Sequence, residues 1–172
     1  MRGLLSSPLL IAALLLCPSL QAQNPVHVAP NAPQDRPIPM DSCLLAATDS
    51  ATAPLVAEAR ATYPRAKARF LAGLPPRQSF FVVTYLRDSL DHWERVFIAV
   101  DSIVPGASGD QQIIGRIWNE INVVQGFAPY QRYSFPESDL LDWMISRPDG
   151  TEEGNLIGNF LDAWEPPKAC AT

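Results

Sequence analysis

The sequence has few of the residues from which metal centres and common active sites are built. Of its 172 residues, two are histidine (His27 and His92) and three are cysteine, and no CxxC pair is present. Structural zinc sites use four closely spaced cysteine or histidine ligands. The chain also lacks the HExxH motif, the phosphate-binding loop, the dinucleotide-binding glycines and the nucleophile elbow. These absences argue against a metalloenzyme, a nucleotide-binding enzyme and a serine hydrolase, and we expect no metal and no cofactor.

A run of basic residues is missing as well. The chain carries 13 Lys and Arg against 18 Asp and Glu, a formal net charge of −5 at pH 7. Nucleic acids and anionic membranes attract positively charged surfaces. We therefore expect no nucleic-acid partner, and a partner that is either an unknown protein or a small ligand.

The first residues have the pattern of a secretory signal peptide. Arg2 precedes an apolar run over residues 9–17, and the small residue Ala22 follows at a position suited to cleavage. A membrane span needs about 20 apolar residues, and Pro8 interrupts this run too early. We predict a signal peptide over residues 1–22, no membrane span in the mature form, and an exported protein, periplasmic or secreted.

The mature chain is predicted to contain one folded domain between two short extensions. Residues 23–48 are rich in proline and lack a periodic apolar pattern, which indicates a flexible, extended arm. The domain is expected over residues 49–165, followed by a C-terminal tail over 166–172. Cys43 and Cys170 are the two cysteines of the mature chain, and in an oxidising compartment they could form a disulfide.

The domain is predicted to begin with a helix. Leu55, Ala59 and Phe70 recur at helical spacing, and Thr52 is a plausible N-cap. Pro64 lies inside this pattern and is expected to break or kink the helix, because proline lacks the backbone N–H that the helix needs.

The remaining elements are predicted to form a sheet with one further helix. Residues 79–87 are apolar on both faces, which favours a well-covered central strand. Residues 138–146 place their apolar side chains in one helical arc and are predicted as a short helix. The predicted strands are 79–87, 92–101, 111–119, 130–135 and 153–162. The fold class is α+β: an N-terminal helix packed on an antiparallel sheet of about five strands, with a short helix before the last strand.

The predicted short helix supplies most of the candidate binding residues. On its wheel Asp139 and Asp142 form a polar stripe, and Trp143 lies at the edge between polar and apolar faces, so it should be half exposed. Glu94 shares strand phase with Val96 and points to the core side, at the beginning of its strand. It is either a buried carboxylate with a functional role and a backbone or arginine partner, or an exposed strand end.

Residues from about Val56 to Leu161 resemble a family of small, mostly bacterial proteins called domain of unknown function 2314. The resemblance is carried by the helix "VAEARATYPRAKARFL", by "ERVF", by "DLLDWM" and by "DGTEEGN" downstream. The family typically has Trp where this chain has Phe97. The resemblance implies the fold and the domain boundaries, and it implies no activity.

Three functions stay open at this level. The first is a non-enzymatic binding or interaction module that uses a rim formed, in sequence order, by Glu94, Asn119, Asp139, Asp142 and Trp143. The second is a small hydrolase-like catalyst with Glu94 or Asp142 as acid or base. The third is a structural component of the cell envelope.

Overall fold

The structure is a computed structural model that describes residues 42–107 and 109–170. The predicted signal peptide and residues 23–41 of the predicted arm lie outside this part of the chain. The helices are α1 (Ser42–Ala72) and α2 (Leu156–Leu161), and the strands are β1 (Ser79–Arg87), β2 (Trp93–Pro105), β3 (Gln111–Ile117), β4 (Arg132–Pro136), β5 (Asp142–Ser146) and β6 (Glu152–Gly154). Short 3-10 turns cover Glu137–Asp139 and Lys168–Cys170.

The six strands form one antiparallel sheet in the order β4-β3-β2-β1-β5-β6. The α+β class is therefore confirmed, with six strands where about five were expected. The strand predicted over 79–87 is observed as β1 with the same bounds. The next three predicted strands are observed as β2, β3 and β4.

Strand β1 lies inside the sheet and is covered on both faces. Phe80 and Val82 belong to the larger apolar core on one face, which we call face A. Phe81 and Val83 belong to a smaller core on the opposite face, face B. Because side chains alternate along a strand, an almost continuous apolar sequence is what a strand with two covered faces requires.

Helix α1 contacts both faces of the sheet. Its C-terminal half packs on face A, where the rings of Tyr63 and Phe70 lie against Phe80. Its N-terminal half reaches face B, where Asp49 accepts a hydrogen bond from the Tyr85 hydroxyl. No helix within residues 42–107 and 109–170 is long and apolar enough to cross a membrane.

Three details of α1 differ from the sequence-based predictions. The helix begins at Ser42, so residues 42–48 are helical rather than part of a flexible arm. Thr52 is not an N-cap, because it lies inside the helix and its hydroxyl donates to the Thr48 carbonyl at 2.8 Å. Pro64 lies within the helix without breaking it. An interior proline costs about 3 kcal/mol, and the burial of Ala59, Tyr63 and Ala66 offsets this cost.

The predicted short helix over 138–146 and the predicted last strand over 153–162 are wrong. Residues 142–146 form β5, which pairs with β1 through Phe81 opposite Met144 and Val83 opposite Asp142. After β6, residues 156–161 form α2. The apolar side chains of "LLDWMI" fit a helical arc, but a short strand that is buried on both faces carries no alternation to distinguish it from a helix.

The predicted disulfide between Cys43 and Cys170 is present. The two Cα atoms are 5.5 Å apart, and the cysteines are separated by 127 residues in the sequence. The bond connects the first turn of α1 to the C-terminal segment. It therefore holds both ends of the described chain on the same side of the domain.

We expect loss of this disulfide to destabilise the domain strongly. Constraining a loop of this length is worth about 4 kcal/mol in the chain-entropy account. The double variant Cys43→Ser/Cys170→Ser should therefore unfold at a lower urea concentration by that free energy. Adding a reductant should shift the wild-type midpoint in the same direction and leave the double variant unchanged. A wild-type midpoint that is insensitive to reductant would contradict this assignment.

Candidate functional site

Trp143 is buried, and the prediction that it is half exposed is wrong. Its side chain belongs to the face A core with 3% of its surface exposed. The indole Nε1 donates to the Thr62 hydroxyl at 3.0 Å. The helical wheel places Trp143 at a polar edge. In the structure β5 is an interior strand whose face A is covered by α1, so the indole lies between the helix and the sheet. No exposed tryptophan rim forms here.

Asp142 points to face B and is fully buried. Its Oδ2 accepts the N–H of Ile157 at 2.7 Å, and its Oδ1 accepts the N–H of Trp143 at 2.8 Å. Asn155 precedes α2, but its side chain makes no capping hydrogen bond. The Asp142 carboxylate of β5 takes this role, because it accepts an N–H of the first turn of α2. Burial raises the pKa of Asp142 to about 6, although the backbone N–H donors and Arg95 favour the ionised form.

Asp139 is not part of one stripe with Asp142. It ends the 3-10 turn with its side chain exposed, and its carbonyl accepts a hydrogen bond from the Thr84 hydroxyl at 3.1 Å. Arg60 donates to the carbonyls of Leu140 and Ser138 in the same stretch. The segment between Ser138 and Asp142 is therefore held by backbone contacts to α1 and β1, and the two aspartates point to different surroundings.

Glu94 is buried and accepts three backbone hydrogen bonds. Its side chain lies on face A with 4% of the residue surface exposed. Oε1 accepts the N–H of Asn122 at 3.1 Å, and Oε2 accepts those of Val123 at 2.9 Å and Val124 at 3.1 Å. Glu94 is therefore a buried carboxylate with backbone partners and not an exposed strand end. Glu94 fixes the connection between β3 and β4 against the start of β2.

Asn119 is buried just beyond the end of β3. Its Oδ1 accepts the N–H of Phe97, so it continues the connection between β3 and β2 past the last paired residue. Asn119 and Glu94 both line one cavity, whereas Asp139, Asp142 and Trp143 do not line it. The structure thus brings together two of the five predicted site residues.

This cavity has a volume of about 270 Å³ and lies between β2, α2 and both ends of the described chain. Its wall is mostly apolar, with Leu44 of α1, Phe97 of β2, Leu161 of α2 and Trp164 of the following segment. Leu44 adjoins Cys43, and Trp164 precedes Cys170 by a few residues. The disulfide therefore holds two sides of the wall together.

A second cavity of about 220 Å³ lies on the other side of Arg95. Its wall includes Asp49 and Thr52 of α1, Tyr85 of β1 and Leu141. Arg95 and Ile157 are the residues that line both cavities. Arg95 therefore lies in the partition between the two spaces.

The guanidinium of Arg95 is buried beside the Asp49 carboxylate and the Tyr85 ring, and its nitrogens make no hydrogen bond of ordinary geometry. The side chain is 11% exposed, and its Nε, Nη1 and Nη2 atoms are closed off from solvent without a hydrogen-bond partner. The nearest carboxylate oxygen, Oδ1 of Asp49, is 4.0 Å from Nη2, and the ring centre of Tyr85 is 5.7 Å from the guanidinium carbon. Burial raises the pKa of Tyr85 to about 12. An enclosed positive charge without hydrogen bonds is costly.

Arg95 is absent from the predicted site, although the sequence contains a signal for it. It shares strand phase with Phe97 and Ala99, which are both buried on face B. A charged residue in an apolar phase of a strand marks either a strand end or a buried charge. Glu94 gives the same signal on the opposite face, because it shares strand phase with the buried residue Val96.

His92 lies at the end of the hairpin between β1 and β2, where it contacts Asp88. His92 Nδ1 lies 2.9 Å from Oδ2 of Asp88, and the Asp88 carboxylate also accepts the N–H groups of Leu90, His92 and Gln125. Within the described part of the chain no group of three His, Cys, Asp or Glu side chains could hold a metal ion.

No protein-family model, curated protein or solved structure matches this chain. The resemblance to domain of unknown function 2314 therefore stays a prediction. What can be said about function rests on the geometry of the cavities and of the side chains around them.

The raised pKa of Asp142 predicts a specific dependence of stability on pH. The folded chain holds the proton up to about pH 6, whereas the ordinary value is 3.8. Its contribution to stability is therefore complete below pH 3.8 and is lost as the pH rises through 6. The loss is on the order of 3 kcal/mol. Asp142→Asn should remove this component from the urea unfolding free energy measured across that range.

Asp139→Asn is the matched control for this measurement. Asp139 is exposed, so the variant should keep the wild-type dependence of the unfolding free energy on pH. If Asp142→Asn also follows the wild-type curve, the buried carboxylate is not the group that titrates.

Replacing Glu94 by Gln should loosen the connection between β3 and β4. The glutamine amide nitrogen cannot accept a hydrogen bond, so one or more of the N–H groups of Asn122, Val123 and Val124 lose their acceptor. The expected cost is about 2 kcal/mol. Hydrogen exchange should become faster at Val123 and Val124. Glu120→Gln, at an exposed position, should leave their exchange unchanged, and equal exchange in both variants would contradict the role of Glu94.

Proposed function

We propose that this protein is an exported, non-enzymatic module that binds a small ligand in the cavity between β2, α2 and the C-terminal segment. The observation that carries the proposal is the cavity itself, with its apolar wall and, in that wall, the Arg95 guanidinium, whose nitrogens have no hydrogen bond of ordinary geometry. Small-ligand sites combine an apolar lining with a few polar groups that orient the ligand. Asn119 adds a second polar group to the lining.

The proposed site differs from the rim suggested by the sequence. Glu94 and Asn119 remain at its wall, and Arg95 replaces the aspartates as the charged group. Trp143 and Asp142 support the site from a distance, since they position β5 and the start of α2. Asp139 has no contact with this cavity.

The catalytic alternative would depend on Glu94 or Asp142. Both oxygens of the Glu94 carboxylate accept backbone N–H groups, as do both oxygens of Asp142. A general acid or base must reach the proton that it transfers. Asp142, with its raised pKa, is the better candidate of the two, but it is enclosed and lines neither cavity. These contacts favour binding over catalysis.

Export is part of the same proposal. The pattern of residues 1–22 supports it, and so does the disulfide, because such bonds persist in oxidising compartments and are rare in the cytosol. A disulfide that holds the wall of the cavity would keep the site assembled where the protein is exported.

The cavity can be tested with octan-1-ol as an uncharged apolar probe. Methyl NMR signals of Leu44 and Val83, which both line the cavity, should shift as octan-1-ol is added to the folded protein. Leu161→Trp places a larger side chain in the cavity and should weaken the binding of octan-1-ol by about tenfold or more.

Leu71→Trp is the matched control, since Leu71 is an exposed leucine of α1 away from the cavity. It should bind the probe as the wild-type protein does. Unchanged methyl signals at saturating octan-1-ol, or equal binding by both tryptophan variants, would contradict a ligand site in this cavity.

A further inference from the structure

We propose that the ligand of this cavity is a small monocarboxylate with an apolar body, and that the guanidinium of Arg95 pairs with its carboxylate. The inference rests on the proposed binding function and names the chemical class of the ligand. It is carried by the guanidinium without ordinary hydrogen bonds in the partition between two cavities, together with the charges and the size of the space around it.

The first argument is the missing partner of Arg95. A buried guanidinium normally has its N–H groups engaged, often by a carboxylate that takes two of them at once. None of its three nitrogens has a hydrogen bond within the described part of the chain, and Asp49 is too distant for one at 4.0 Å. A ligand carboxylate would supply the acceptors that the protein does not.

The second argument is the charge of the surrounding groups. Among the described residues that line the larger cavity, Arg95 is the one basic side chain, whereas Glu94 and Asp162 are acidic. Asp49 adds a carboxylate on the side of the smaller cavity. These acids repel an anionic ligand, so the ligand should carry no more negative charge than the one that the Arg95 guanidinium can pair with. A dianionic phosphate would leave an unbalanced charge in a poorly hydrated space.

The third argument is the size and character of the space. The larger cavity has about 270 Å³, below the roughly 300–1,000 Å³ of drug-sized sites. Apolar side chains from α1, β2 and α2 form most of its wall, so the body of the ligand should be apolar and short. A medium-chain fatty acid or a small aromatic acid has this form.

Binding requires a movement of the Arg95 side chain. The guanidinium nitrogens are closed off from solvent, so the Arg95 side chain must turn from the partition toward the larger cavity to meet the carboxylate. Arginine has several rotatable side-chain bonds that allow this movement.

The test compares octanoate, octan-1-ol and octyl phosphate by calorimetric titration of the mature protein at neutral pH. These probes share one apolar chain and differ in the charge of the head group. We expect octanoate to bind about tenfold or more tightly than octan-1-ol, since hydrogen bonds to charged groups are worth about 1.5–3 kcal/mol. Octyl phosphate should bind more weakly than octanoate.

Arg95→Met should remove the preference for octanoate over octan-1-ol. Arg116→Met is the matched control: Arg116 lies on the neighbouring strand, is half exposed, and does not line the cavity. It should bind all three probes as the wild-type protein does. Arg95→Lys, which keeps the charge without the planar fork, should retain part of the preference and serves if the methionine variant does not fold.

The outcomes separate this inference from the proposed function. Equal binding of octanoate and octan-1-ol, unaffected by replacement of Arg95, would overturn the carboxylate and leave the cavity as a site for apolar ligands. The tightest binding by octyl phosphate would overturn the monocarboxylate class. No binding of any probe, with silent methyl signals from the cavity wall, would overturn both proposals.

Discussion

The structure depends on the position of β1 inside the sheet with both faces covered. One domain of this size has to place apolar groups on two faces of β1, and it does so mainly with a single long helix. The C-terminal half of α1 covers face A, while its N-terminal half joins α2 on face B. Face B is covered by three shorter segments: the first turns of α1, α2 and the C-terminal segment. The disulfide joins the first turn of α1 to the C-terminal segment. Short pieces pack less completely than one continuous helix, and both cavities adjoin this face.

The sequence predicted the class and the first four strands because their apolar content and turn residues agree with each other. It failed at residues 138–161, where buried strand and short helix share the same apolar pattern. The stretch "LLDWMI" has the spacing of a helical face, yet Met144 and Trp143 point to opposite faces of β5. What decides between the two structures is pairing with β1, a contact between residues far apart in the sequence. Local pattern does not contain that information.

The candidate site was predicted in part, for a related reason. The sequence places Glu94 in an apolar phase of its strand, and this residue is buried. Asp142, which was predicted on a polar helical stripe, is buried as well, and so is Asn119. The sequence does not indicate which of them find partners. Glu94 and Asp142 receive backbone N–H groups from segments that follow them by many residues. Arg95, adjacent to Glu94 in the sequence, receives none of the acceptors it would need. Whether a buried polar group finds its hydrogen-bond partners depends on the assembled fold.

This difference between satisfied and unsatisfied buried groups is the main guide to function in this protein. When a buried carboxylate caps a loop or a helix, the hydrogen bonds it accepts offset the cost of burying it. No ligand is needed to explain its position. The Arg95 guanidinium is close to the Asp49 carboxylate and favours the ionised form of Asp142, but none of its nitrogens has a hydrogen bond of ordinary geometry. Stability alone therefore leaves the hydrogen-bonding groups of this arginine unexplained. A ligand would explain them, because an anion that reaches the guanidinium accepts the hydrogen bonds for which the protein supplies no acceptor. The same logic explains why the strongest candidate lies beside the cavities of face B rather than within the complete packing of face A.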